Sequence, residues 1–177
     1  MRQKRASYNK TLKETAEINF DSNQLTFPGL YDYIPVYHIE LVCDRQVKFE
    51  NRRSIHNSDE VIALLKDELL RSDREKLLSV LLNTKNMVIG IEVVSIGSLN
   101  TSVAHPRETL KSAVLASASG IILAHCHPSG DPAPSREDRD MTERMSKACE
   151  ILGIKLLDHI IIAQYGNYSF RNSGLLT

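Results

Sequence analysis

The nine residues from His127 to Ser135, HPSGDPAPS, constrain this chain more than any other stretch. They hold three prolines and one glycine, so neither a helix nor a sheet ladder can run through them. Before them lies IILAHCH, apolar and too short to be a helix in its own right, which predicts a strand. After them Ser135 is a good N-cap, and Met141, Met145, Ala148 and Leu152 fall on one stripe before Gly153. That predicts a helix over 136–152. Strand, turned loop and helix must follow one another here, bringing the end of the strand close to the start of the helix.

The side chains at that junction carry chemistry. His125 and His127 are two apart in a strand, so both imidazoles face one side, while Cys126 faces the other, which argues against it as a ligand. With ten residues between it and His127, Asp138 sits in the first turn of the helix. His125, His127 and Asp138 offer three protein ligands and an open position, as a catalytic zinc site requires. Zinc held this way can lower the pKa of bound water and polarise a carbonyl. A plainer reading covers some of the same residues. Histidines at strand ends are often structural, and Ser135 with Asp138 mimics a capping box with Asp in place of Glu, in a place that also suits the helix dipole. Spacing alone leaves both roles open for Asp138.

The rest of the chain reads as mixed strands and helices. Asn57-Ser58-Asp59 opens an amphipathic helix over 59–71, with Val61, Leu64, Leu65 and Leu69 at helical spacing. KLLSVLLN and MVIGIEVVSIG predict a hairpin of well-buried strands around Thr84-Lys85-Asn86. His105-Pro106 opens a further helix, with Gly120 at its exit. LLDHIIIA and NYSF close the chain as two strands around Tyr-Gly-Asn, and Tyr33–Phe49 is β-prone with partial alternation, which suggests a strand or hairpin. The expected class is α/β in the loose sense, a mixed sheet flanked by helices. Residues 1–30 are polar, end near Pro28-Gly29, and are expected to be a flexible N-terminal arm.

Totals narrow the classes further. The 177 residues suit one compact domain with a tail, and 42% apolar residues can fill a core. Lys+Arg and Asp+Glu are equal at 22, so net charge argues for neither nucleic acid nor an anionic membrane. A modest basic cluster at Arg45, Lys48, Arg52 and Arg53 is where DNA contacts would be sought. Cys43, Cys126 and Cys149 are widely spaced, which suggests neither disulfides nor a metal knuckle; Cys43 and Cys149 read as small core residues. With no signal-like or membrane-spanning run, a cytoplasmic protein is expected.

The junction also resembles a known family. His125-Cys126-His127-Pro128-Ser129-Gly130-Asp131-Pro132, then Pro134-Ser135-Arg136-Glu137-Asp138, is similar to the JAMM metalloprotease motif in its RadC form. Asn83-Thr84-Lys85-Asn86, Gly97-Ser98-Leu99-Asn100, His105-Pro106-Arg107-Glu108 and Leu157-Asp158-His159 extend the likeness over about residues 58–172. The resemblance implies an MPN (JAB) fold of cytidine-deaminase-like architecture, making 31–177 a RadC-type domain. It implies Zn2+ on His125, His127 and Asp138, Ser135 hydrogen-bonded to the bound water or the oxyanion, and a glutamate as general acid and base. Relatives with known activity cut peptide or isopeptide bonds, so a protein or peptide substrate is expected. RadC proteins were named for DNA repair, and a DNA-associated module that is not a protease is the alternative. Two departures stand out: RadC proteins usually carry Asn where Cys126 stands, and a helix-hairpin-helix region is not visible in residues 1–57.

The base must lie within about 3 Å of the reacting water. Glu75, Glu92 and Glu108 are the candidates. The family fold places its glutamate at the start of a strand beside the histidine strand, a position Glu75 matches. Glu108 otherwise serves a helix dipole, Glu92 is a mid-strand charge, and His159 fits a structural or supporting role better than ligation.

Overall fold

The structure, a computed structural model, describes residues 36, 38–46, 54–97 and 104–176. Contacts divide the chain into two units, Met1–Ile39 and Glu40–Thr177. The expected arm over 1–30 lies outside the described residues, and the sheet belongs to the second unit.

In chain order the elements are α1 (Ser58–Leu69), β1 (Lys76–Leu82), β2 (Val88–Ile96), α2 (Pro106–Thr109), α3 (Lys111–Leu115), β3 (Gly120–His127), α4 (Arg136–Ile151), β4 (Lys155–Ala163) and β5 (Gly166–Ser169). The five strands form one sheet in the order β2-β1-β3-β4-β5. Pairing is antiparallel except between β3 and β4, which run parallel and are joined through α4. The mixed sheet and flanking helices match the expected α/β class.

Strand parity sorts the side chains into two cores. Leu78, Val80, Leu82, Ile122, Ala124, Cys126, Ile160 and Ile162 pack with Val61, Leu65 and Leu69 of α1. Leu77, Leu81, Ile121 and Leu123 pack on the other side with Met141, Met145 and Cys149 of α4 and with Leu110 and Ala113. The three inner strands are covered on both faces, so they run as nearly continuous apolar stretches. α1 begins where Asn57 accepts the Glu60 N–H at 3.0 Å, and its inward stripe is completely buried.

Four expectations need correction. β2 is an edge strand with Ile89, Val93 and Ile96 exposed, because only β1 pairs with it; only β1 of the hairpin is well buried. The helix after His105 is broken at Leu110 into α2 and α3, and it stops before Ser117 (φ 52) while Gly120 already begins β3. The described part of the stretch 33–49 (36 and 38–46) has no strand; Ile39, Leu41 and Val42 are exposed, so the partial alternation there does not bury a face. Cys43 is exposed rather than in the core, whereas Cys149 is buried as expected.

No described helix is long and apolar enough to cross a membrane.

Candidate metal centre

The junction read from the sequence forms as a compact cluster. β3 ends at His127, and α4 starts at Arg136 with Ser135 as its N-cap. One ligand atom from each of His125, His127 and Asp138 can be chosen so that all lie within 4.8 Å of one another. The two Nε2 atoms are 3.0 Å apart. Nε2 of His125 lies 3.2 Å from Asp138 Oδ1, and Nε2 of His127 lies 3.5 Å from Asp138 Oδ2. His125 and Asp138 are buried, and His127 is half-buried, so the cluster has one side toward solvent. Cys126 points to the α1 face as its parity requires; its Sγ reaches the Arg74 carbonyl at 3.5 Å, and burial pushes its thiol pKa up.

Each imidazole is held from behind. His127 Nδ1 bonds the Asp131 carbonyl at 2.7 Å, so its proton belongs on Nδ1 and its Nε2 lone pair faces the cluster. The loop supplying that carbonyl is turned by Gly130, whose φ of +84° suits glycine and where a Cβ would come within 2.7 Å of the Tyr165 ring. His125 Nδ1 is 2.8 Å from His159 Nε2. His159 is wholly buried, stacked on Phe170 with centroids 4.8 Å apart, and burial drives its pKa well below the ordinary histidine value. Its ring therefore stays neutral.

Asp138 does two jobs at once. It closes the capping box: its N–H donates to Ser135 Oγ at 3.1 Å, and its Oδ2 accepts the Ser135 N–H at 2.8 Å. Ser135 Oγ also donates to Oδ2 at 2.6 Å, so the hydroxyl proton is directed at the carboxylate. Burial alone would raise the Asp138 pKa. Interactions with His125, His127 and Ser135 outweigh it and hold the carboxyl far below the usual range. The same carboxylate raises the pKa of His127, against the opposing effect of burial. Two imidazole lone pairs at 3.0 Å, converging on a carboxylate, need a positive charge among them, a proton or a metal ion. Two nitrogens and a carboxylate oxygen are a donor set that zinc accepts, so these residues fit a metal.

The three glutamates are separated by the structure. Leu77 pairs with His125 across the antiparallel β1–β3 ladder, so extending the register by two residues puts Glu75 opposite His127. Glu75 is half-buried, its carbonyl holds the Gly97 N–H at 2.8 Å, and its charge contributes to the raised His127 pKa. Glu92 lies on β2, paired with Ser79, and accepts the Ser112 hydroxyl. Glu108 is engaged by Lys111 at 2.6 Å and Arg107 at 3.1 Å. These two cations hold its carboxyl below the ordinary value, which makes it a weaker base.

Other expected residues fall elsewhere. His105 caps α2, its Nδ1 accepting the Arg107 N–H at 3.1 Å. Of the basic cluster only Arg45 is described, paired with Glu68 at 2.8 Å; Lys48, Arg52 and Arg53 lie outside the described residues. Sequence reading missed Thr142 and the Asp131 carbonyl. Thr142 stands one helical turn beyond Asp138, a spacing that could have drawn attention to it.

A mixed five-stranded sheet, with two histidines ending a central strand and an aspartate opening the next helix, is the arrangement of a JAB-type domain. The chain belongs to the RadC-like JAB domain family, whose pattern matches residues 55–175. It is similar to a UPF0758 protein of Caldanaerobacter subterraneus subsp. tengcongensis, 51% identical over 121 residues, 68% of this chain and 52% of that one. A UPF0758 protein of Moorella thermoacetica is 52% identical over 126 residues, 71% of this chain and 55% of the relative. One from Methanosarcina acetivorans is 45% identical over 127 residues, 72% and 56% of the two chains. The chain thus spans about half the length of the curated relatives it matches.

Proposed function

We propose that this chain is a zinc-dependent hydrolase of peptide or isopeptide bonds, with His125, His127 and Asp138 as metal ligands. The observation that supports it most is the convergence of two imidazole Nε2 atoms, 3.0 Å apart, on the Asp138 carboxylate, with the far nitrogen of each ring already engaged. Bound zinc would supply Lewis acidity to a water molecule and to a carbonyl oxygen. Glu75, opposite His127 by register, takes a proton from the attacking water and returns it to the leaving amine. Ser135 orients the Asp138 carboxylate as the site stands, and on release of that bond its hydroxyl can donate to the developing oxyanion. Burial of His125 and Asp138 keeps bulk water from competing with these bonds.

Metal analysis of the purified full chain should find about one zinc per chain. Hydrolysis is then followed with fluorogenic peptide amides and with ε-lysyl isopeptide conjugates. Glu75→Gln should keep its zinc and lose about 10²–10⁴-fold in turnover. Unchanged turnover in that variant would remove Glu75 as the base, and a wild-type chain without bound metal would remove the whole reading.

A further inference from the structure

A chain of hydrogen bonds behind the cluster runs from one proposed ligand to another. Thr142 Oγ1 is 2.6 Å from the Asp138 carbonyl, and a carbonyl only accepts, so the single threonine proton goes there. Toward His159 Nδ1, also at 2.6 Å, Thr142 can then only accept, which places a proton on Nδ1 of His159. A neutral imidazole carries one N–H, so Nε2 of His159 is a lone pair. It accepts from His125 Nδ1 at 2.8 Å. His125 is left with Nε2 unprotonated, 3.2 Å from Asp138 Oδ1 and 3.0 Å from His127 Nε2.

We propose that Thr142 and His159 are positioning residues that fix the tautomer and ring orientation of His125, so that Nε2 is always the nitrogen presented to the metal. This rests on the metal site proposed above. The chain is anchored on Asp138 itself: its carboxylate faces the metal position while its backbone carbonyl orders the hydrogen bonds that prepare His125. α4 makes this possible because residues four apart share one helix face, so Asp138 and Thr142 meet β3 and β4 together. Every member is buried, with His125 and His159 fully so and Thr142 3% exposed, and water has little access to reverse the order. Partners of this kind fix ring orientation and raise the basicity of a ligand.

The test uses the full chain, first stripped of metal by a chelator. Long-range proton–nitrogen NMR correlations at alkaline pH report which ring nitrogen of each histidine bears the proton. In the wild type both His125 and His159 should carry it on Nδ1. Thr142→Val keeps the shape and removes the acceptor; His159 should then populate the opposite tautomer, and zinc affinity measured against a competing chelating dye should fall about 10–100-fold. Thr142→Ser should restore both readouts. A wild-type His125 protonated on Nε2 would overturn the proposal, and so would a Thr142→Val chain with unchanged tautomers and unchanged affinity. Should the valine variant not fold, the wild-type pattern still decides. Failure of the metal reading looks different: the wild type then takes up no zinc, while the tautomers of the metal-free chain still accept or reject the relay.

Discussion

The two faces of the sheet are made from the same strands and do opposite work. On the α1 face, β3 contributes Ile122, Ala124 and Cys126 to a core packed by Val61, Leu65 and Leu69. On the α4 face the same strand contributes Ile121 and Leu123, and then His125 and His127. The α1 face needs only volume and apolarity. The α4 face changes character along its length: apolar beneath Met145 and Cys149, polar where the first two turns of α4 meet the end of β3. The polar groups buried at the cluster are tolerated because they partner one another: His125 with His159, His159 with Thr142, and Asp138 with Ser135. One residue of strand register thus separates packing from chemistry.

The comparison can be broken most severely at Asp138. Asp138→Ala removes a ligand and half of a capping box, and leaves two imidazoles without their counter-charge. Zinc content should fall from about one per chain to near zero, and denaturant unfolding should show a loss of about 3 kcal/mol or more. On the opposite face, Leu65→Ala should cost about 2–5 kcal/mol in the same assay while zinc stoichiometry stays unchanged. If zinc were lost with Leu65→Ala, the two faces would not be separable.

A subtler contrast is in pH. His127 has a raised pKa when folded, so its contribution to the metal-free protein is full below its unfolded value of about 6.5 and fades as pH rises through the folded value. Asp138 has a lowered one, so its contribution is present above about 3.9 and is lost as pH falls through the folded value. His159 has a lowered one too, which costs stability below about 6.5, so thermal melts of the metal-free chain should show greatest stability near that pH and a decline above neutrality. Zinc should remove that decline, and its affinity should rise with pH as it displaces the His127 proton. The smallest effect is expected at Cys126. Cys126→Ala alters only the α1 face, so zinc stoichiometry should hold and stability should drop by about 1 kcal/mol.

Much of this was legible in the sequence, for physical reasons that can be named. The two-residue period of a strand put His125 and His127 together and turned Cys126 away. The Pro/Gly-rich loop forced the return that brings Asp138 to them. Ser135 and Asp138 read as a cap, which they are, and cap and candidate ligand proved to be one arrangement. Strand order was not legible, because local periodicity does not say which strands pair. The partners of His159 were hidden for that reason: His125 and His159 meet only through the parallel β3–β4 pairing, and no short-range pattern reports it. The exposure of β2 was missed since an edge strand and a central one can share the same apolar composition. The break at Leu110 was missed because Pro106 announces where a helix starts, not how far it continues.

The order of assembly follows from where the pieces lie in the chain. His125, His127, Asp138, Thr142 and His159 all belong to one crossover, β3–α4–β4, and closing that short loop is enough to gather them. Glu75, the base proposed above, comes from outside it, and β1 must pair antiparallel with β3 before Glu75 can stand opposite His127. A nascent chain could therefore capture an ion before it could use one. On the proposed mechanism, reactivity would wait for a contact of longer range, and a half-formed sheet would hold the proposed ligands without the proposed base.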